Sequence, residues 1–298
     1  MRRILTALAA LFLFFSVSMA EDVPVLIDRI TQPDASPEFA FPEDAELMQI
    51  IFPNLRDADC AVIICGEDTV MIDSSSRGYA YRVVNMLEQL GITEIDLLLN
   101  SHPHNDHLLG LEKILEVADI HEIRFGFPET ETQHMIPTLR VAQKHGLATN
   151  WYADDDRIPV GGGWIDVWLK GDAEWELNAR SAQMRLQFGE RTALFTADSL
   201  QETQRRLVEV IPPELLDCDV LKYPHHGLEV LDDGFMEAVS PAFAVITNID
   251  DNRTFETRLY LTQKAVPFSF TTNGYLSFTT DGKVWLAEKI PMRPLRSK

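Results

Sequence analysis

Residues 95–99 form a short, largely apolar run that leads directly into Asn-Ser-His-Pro-His-Asn-Asp-His-Leu-Leu-Gly at residues 100–110. This junction constrains the fold more than any other feature of the chain. A continuous apolar run of that length suits a strand buried on both faces, which needs a layer of structure on either side. Three of the chain's eight histidines then fall within six positions. In an extended segment, residues two apart face the same side, so His102 and His104 can point at one cation. Pro103 between them stiffens the backbone. Asp106 and His107 stand at the start of the following helix with their side chains aimed elsewhere, enough to hold a second ion nearby. Imidazole and carboxylate together suit zinc, and also iron or manganese.

Other polar residues follow apolar runs in the same way. Asp73 ends the run 70–72, Asp198 follows 193–196, and His225 and His226 follow 220–223. Singly, each reads equally well as a turn, a helix cap or an exposed loop. Together they form four polar clusters at four strand ends in an alternating α/β chain. Ligands converge at strand C-termini in such folds.

The remainder of the chain is ordered around these strands. Residues 47–52, 60–65 and 69–72 read as strands, 79–90 as a helix closed by Gly91, and 107–118 as a further helix. A helix over 133–145 precedes strands at 164–169, 183–188 and 192–196. Strands then alternate with helices: 220–223, 233–239, 242–247, 255–264 and 267–271, closed by a hairpin of 275–280 and 284–287. Two blocks of strands, each followed by helices, predict two sheets packed face to face with helices outside. The expected division is a signal peptide at 1–20, an N-terminal extension at 21–45, one catalytic-type domain at 46–290 and a basic tail at 291–298.

The signal peptide is read from Arg2 and Arg3, an apolar stretch over 4–15 and small residues ending at Ala20, which predicts secretion after cleavage there. No other segment is apolar enough to span a bilayer. Loss of that leader takes the formal charge from −20 to −22. Such a surface repels polyanions, because affinity for a phosphate backbone is supplied by Lys and Arg, so long nucleic acid is not expected as a substrate. Cys60, Cys65 and Cys218 are an odd count and read as buried thiols, with Cys60 and Cys65 on opposite faces of one strand.

His-x-His-x-Asp-His, a later Asp after an apolar strand and a final His after another resemble the metallo-β-lactamase superfamily, over roughly residues 47–288. Within it, "RDADCAVI", "NARSAQMRLQFGERTALFTAD", "LKYPHHG" and "NGYLSFTTDGK" are similar to the hydrolase domain of the ComEC/Rec2 competence proteins and their secreted relatives. The resemblance implies an α/β fold, the αββα four-layer sandwich, as a single domain with two metal ions between the sheets. It makes His102 and His104 ligands of the first ion, and Asp106, His107 and His226 ligands of the second, with Asp198 bridging. His226 is preferred to His225 because the family's ligand directly precedes Gly, here Gly227. Asp73 would orient the metal loop by hydrogen bonds. The chain departs from the family where many members have a third His for the first metal; Asn178 and Ser181 occupy that segment and stand behind the ligands. It also has Leu228 where close relatives have Ser, and Arg253-Thr254-Phe255-Glu256 where they have a His-containing loop.

Metal of this kind acidifies bound water and stabilises a developing oxyanion. Asp106 would then orient the water and His225 would serve the leaving group, giving a secreted hydrolase of a small phosphodiester or other ester. Trp151, Tyr152, Trp164, Trp168 and Trp175 either form a pocket for a cationic headgroup or belong to core and sheet surface. Two other functions stay open: a non-catalytic secreted binding protein that keeps the fold, and a lactonase or β-lactamase-type hydrolase. The missing third His argues against a β-lactamase.

Overall fold

The computed structural model describes residues 25–294. The leader 1–20 and the last four residues of the basic tail lie outside that range. The first half of the chain runs β1 (Leu26–Asp28), β2 (Met48–Phe52), β3 (Ala61–Cys65), β4 (Asp68–Ile72), α1 (Ala80–Leu90), β5 (Glu94–Asn100), α2 (Asn105–Leu108), α3 (Leu111–Ile114), β6 (Asp119–Phe125), α4 (Met135–His145) and β7 (Ala148–Trp151). The second half runs β8 (Arg157–Val160), β9 (Gly163–Trp168), β10 (Gln183–Phe188), β11 (Arg191–Phe195), α5 (Gln201–Val210), α6 (Pro213–Leu216), β12 (Val220–Lys222), α7 (Asp233–Val239), β13 (Phe243–Ile246), α8 (Phe255–Gln263), β14 (Phe268–Phe270), β15 (Tyr275–Thr280) and β16 (Trp285–Ile290).

These strands make two sheets. One has nine strands in the order β1-β16-β15-β2-β3-β4-β5-β6-β7, the other seven in the order β14-β13-β12-β11-β10-β9-β8. Ile50, Ile63, Val70, Leu97 and Phe278 of the first meet Ile165, Met184, Leu186, Val220 and Val245 of the second in the central core. The outer face of the nine-stranded sheet is covered by α1, α3 and α4 through Val83, Met86, Leu87, Ile114 and Ala142. The outer face of the other is covered by α5 to α8 through Leu207, Leu216, Phe235, Val239 and Leu261. This is the αββα arrangement expected from the sequence. Both strand runs that carry the polar clusters are parallel: β4-β5-β6-β7 in one sheet and β11-β12-β13-β14 in the other. Their C-terminal ends therefore open on one edge of the sandwich.

Several local expectations are corrected. Residues 107–118 do not form one helix but two single turns, α2 and α3, broken at Leu109-Gly110. A Cβ on Gly110 would lie 1.8 Å from the Ser74 carbonyl oxygen, and the Gly110 N–H donates to Ser75 O at 3.0 Å. Contact with the loop after β4 thus overrides the helical period. Strands β6, β7 and β8 and helix α5 have no counterpart in the sequence reading. Helix α5 is mostly polar and buries little beyond Thr203, Gln204 and Leu207. Part of the N-terminal extension is a strand: β1 pairs parallel to β16, with Ile27 packed on Val284 and Leu286. All three cysteines are buried free thiols, Cys65 in the central core and Cys60 on the helix side. No helix among the described residues is long and apolar enough to cross a membrane.

Candidate metal centre

The loops after β4, β5, β11 and β12 converge, and the side chains that the sequence singles out meet there. Among the described residues three groups of donors form, one of which, Asp59, Asp73 and His107, stands behind the other two. Of those two, Asp106, His107, Asp198 and His226 make one; His102, His104 and Asp198 make the other. Asp198 belongs to both. Its Oδ2 lies 3.8 Å from His102 Nε2, 3.3 Å from His107 Nε2 and 3.4 Å from His226 Nε2. His226 Nε2 is also 3.2 Å from Asp106 Oδ2, and His102 Nε2 is 3.1 Å from His104 Nδ1.

These positions are held by unusual backbone. Asp73, Ser75, Ala197, His225 and His226 all have positive φ, between 46° and 67°, and each lies in a loop of this site. Such conformations cost non-glycine residues of the order of 1–3 kcal/mol each and persist only where the surroundings fix them. At Ala197 the left-handed turn directly precedes Asp198, and it is tied down by His225 N–H donating to Ala197 O at 2.9 Å.

The two groups differ in what stands behind them. His107 Nδ1 is 2.7 Å from Asp73 Oδ2, and Asp73 in turn accepts from Asn100 Nδ2, Ser101 N and Ser101 Oγ at 2.6–3.0 Å. His226 Nδ1 is 3.2 Å from both Asp59 Oδ1 and Thr247 Oγ1. Among the described residues, His102 Nδ1 meets only the Ser101 hydroxyl, at 3.2 Å. Ser181 is fully buried and its hydroxyl donates to Asn178 O at 2.5 Å, while Asn178 Nδ2 is 3.3 Å from His225 Nε2. The Asn178 amide oxygen is buried without a hydrogen-bond partner among the described residues.

The electrostatics follow this division. Burial, reinforced by His107, holds His102 well below the ordinary imidazole pKa, and burial likewise lowers His104. Burial would lower His107 too, but the carboxylates of Asp198, Asp73 and Asp106 drive it well above that value. At His226, Asp198 and Asp59 do the same. In return, despite burial, Asp198 is held well below the usual carboxylate range and Asp106 is drawn down to about 2.

This donor set fits a pair of divalent cations. Besides its imidazole and carboxylate composition, His107 Nε2 and Asp198 Oδ1 are buried with no hydrogen-bond partner among the described residues. Buried polar atoms are nearly always satisfied, so these orphans mark a place where cations would satisfy them.

His225 stands beside these groups rather than among them. Its ring lies between Asn178 and Glu229, with Nδ1 3.5 Å from Glu229 Oε1. Three residues absent from the sequence reading complete the site: Asp59, Lys222 and Thr247. Lys222 was legible as a charge inside the apolar run 220–223. Thr254, in the segment that departs from the family, is buried and caps the loop before α8 by donating to Ile249 O at 3.0 Å. The tryptophans and Tyr152 do not assemble into one pocket. Tyr152 lies in the central core, Trp168 in the helix-side core, Trp164 under Arg157, and Trp151 is exposed on the edge strand β7.

Comparison with known proteins agrees with this architecture. The family model described as the metallo-beta-lactamase superfamily matches residues 54–243. No curated protein matches the sequence. Among solved structures, the chain is similar to the metallo-beta-lactamase fold protein YhfI from Bacillus subtilis, with 11% identity and a TM-score of 0.51, covering 75% of this chain and 96% of that one. It is also similar to the E377D mutant of CmlA beta-hydroxylase, with 16% identity and a TM-score of 0.50, covering 81% of this chain and 54% of that one. At such identities the likeness concerns the fold.

Proposed function

Because this chain belongs to the metallo-β-lactamase superfamily, we propose that it is a metal-dependent hydrolase of small ester substrates, with phosphodiesters favoured. One observation carries the reading: Asp198 Oδ2 lies within 3.8 Å of three histidine nitrogens drawn from two donor groups. His102 and His104 would hold one ion and Asp106, His107 and His226 the other, with Asp198 between them. Zinc is favoured by the imidazoles, and manganese or iron would also suit the carboxylates. Two such cations supply an acidified water and charge stabilisation for the transition state.

The chain's own residues do the rest. The Asp106 carboxylate stays ionised well below neutral pH and so remains an acceptor that orients a water for attack. His225 stands beside the donor groups, with Nδ1 3.5 Å from Glu229 Oε1 and Nε2 3.3 Å from Asn178 Nδ2, and its imidazole is the group assigned to the leaving oxygen's proton. The buried ring of His102 and the walls of the sandwich limit access of bulk water. Phosphodiester preference rests on the motifs shared with the competence-type hydrolase domains. Small size rests on the formal charge of −20, which opposes long polyanions. Secretion is part of the same proposal, read from residues 1–20; the intact mass of the exported protein tests it, with a chain starting at Glu21 expected.

The test begins with metal content of wild type and Asp198→Ala, followed by turnover of a bis-aryl phosphodiester, an aryl ester and a β-lactam. Close to two ions and phosphodiester turnover, both lost in the variant, is the expected result. Metal binding without turnover of any of these would favour the non-catalytic binding protein. Preferential β-lactam or lactone cleavage would reassign the substrate class.

A further inference from the structure

Behind His226 lies a buried ion pair that the reaction itself does not use. Asp59, in the loop before β3, and Lys222, at the end of β12, are each 4% exposed. Lys222 Nζ donates to Asp59 Oδ2 and, at 2.9 Å, to the carbonyl oxygen of Ala197. Asp59 Oδ1 accepts from Thr247 Oγ1 at 2.5 Å. The backbone of Asp59 is engaged as well: its N–H donates to Asp106 O at 3.2 Å, and its carbonyl accepts from Ser75 N–H at 2.8 Å. The pair thus touches the loops that carry Asp73, Asp106, Asp198 and His226. A buried ion pair is weak evidence for stability, because desolvation offsets most of its attraction. Its placement calls for another role.

The hydrogen-bond directions supply one. The Thr247 hydroxyl proton is committed to Asp59, so both oxygens that face His226 Nδ1 present lone pairs to it. Nδ1 must therefore be the donor. The proton sits on Nδ1, and Nε2, which faces Asp106 and Asp198 at 3.2 and 3.4 Å, is the nitrogen left to hold a cation. Lys222 grips the other oxygen of Asp59, so the carboxylate cannot turn Oδ1 away from His226. Its second bond, to Ala197 O, steadies the left-handed turn that aims Asp198.

We propose that Asp59 and Lys222 are positioning residues that fix His226 in its cation-holding tautomer and hold Asp198 in register with it. The proposal rests on the two-cation reading of the site.

The test uses the full exported chain and zinc as the first probe. In zinc-loaded wild type, long-range proton–nitrogen correlation of labelled histidine is expected to show the His226 proton on Nδ1. In Lys222→Met, zinc affinity at the His107/His226 group is expected to fall 10–100-fold, the range seen when partners behind metal ligands are lost. Zinc affinity at the His102/His104 group should fall less. Should Lys222→Met fail to fold, the double variant Asp59→Leu, Lys222→Met removes both charges at similar volume and is expected to show the same loss. A folded Lys222→Met or double variant with wild-type zinc affinity would overturn the proposal, as would a zinc-loaded wild type with the His226 proton on Nε2. If wild type holds two zinc ions and only these outcomes fail, the two-cation reading stands and the positioning role falls. A wild-type chain that takes up no zinc, manganese or iron overturns both.

Discussion

The two donor groups share Asp198, yet they are built differently. The group of Asp106, His107 and His226 has two imidazoles that each face a buried carboxylate, Asp73 or Asp59. The group of His102 and His104 has one ring on a hydroxyl and, among the described residues, no carboxylate behind it. The consequence shows in the charges: His107 and His226 are pushed up, His102 and His104 down. Carboxylate backing makes an imidazole a more basic ligand and fixes its orientation, but it also makes the proton a competitor. Four donors against three, and backed against unbacked, predict unequal affinity from neighbouring positions in one loop.

The largest effect is expected where the groups overlap. Asp198→Ala removes a donor from both, so metal content should fall towards zero and turnover by roughly 1000-fold or more, the several kcal/mol that a bound cation contributes to a transition state. If the variant keeps one tightly held ion, Asp198 does not bridge. Next in size is the contrast between single-group variants. His226→Ala should lose the tighter ion and leave a weakly held one, whereas His104→Ala should lose the weaker ion alone. Metal analysis after dialysis against a mild chelator distinguishes them, and equal losses in both would remove the asymmetry.

That asymmetry was only partly legible in the sequence. The strand ends were readable because apolar runs stop abruptly at polar clusters, and parallel strands bring such ends together. His102, His104, Asp106, His107, Asp198 and His226 all arrive at one place for that reason. Of what backs them, Asp73 was readable and the rest was not. Asp59 sits in "RDADCAVI", where its spacing from His226 is 167 residues and its charge resembles that of its neighbours. Thr247 is an ordinary residue at a strand end. The break at Gly110 came from contact with Ser74, which no local period encodes. Helix α5 escaped because its sequence is polar on most of its surface, and edge strand β7 because it buries almost nothing. Residues defined by their own pattern were visible; those defined by a distant partner were not.

The proton competition can be measured directly. In the polypeptide alone, His107 and His226 carry folded-state pKa values well above the ordinary one, so both hold protons at neutral pH that a cation must displace. His102 and His104 lie below it and are already neutral. Affinity at the carboxylate-backed group should therefore weaken as pH falls, by about tenfold per unit for each proton displaced, while the other group should change little above the ordinary histidine pKa. Calorimetric titration with zinc in two buffers of different ionisation enthalpy reads the protons released. Release of protons on filling the weaker group instead of the tighter one would reverse the comparison.

The smallest effect concerns the segment where many family members have a third His. Asn178 lies in the turn Asn178–Arg180, against His225, with its amide oxygen buried and unpartnered. An amide oxygen is a harder and weaker donor to zinc than an imidazole. If that oxygen faces the His102/His104 ion, Asn178→His should tighten zinc there by about tenfold, about 1.4 kcal/mol, and leave the His107/His226 group unchanged. The added ring must fit where the amide stood, against His225, so the same variant should lower turnover even as it raises occupancy. Tighter zinc with unchanged turnover would mean that His225 takes no part in the reaction. Unchanged zinc would mean that the inequality of the two groups comes from the carboxylates behind them and not from the missing donor.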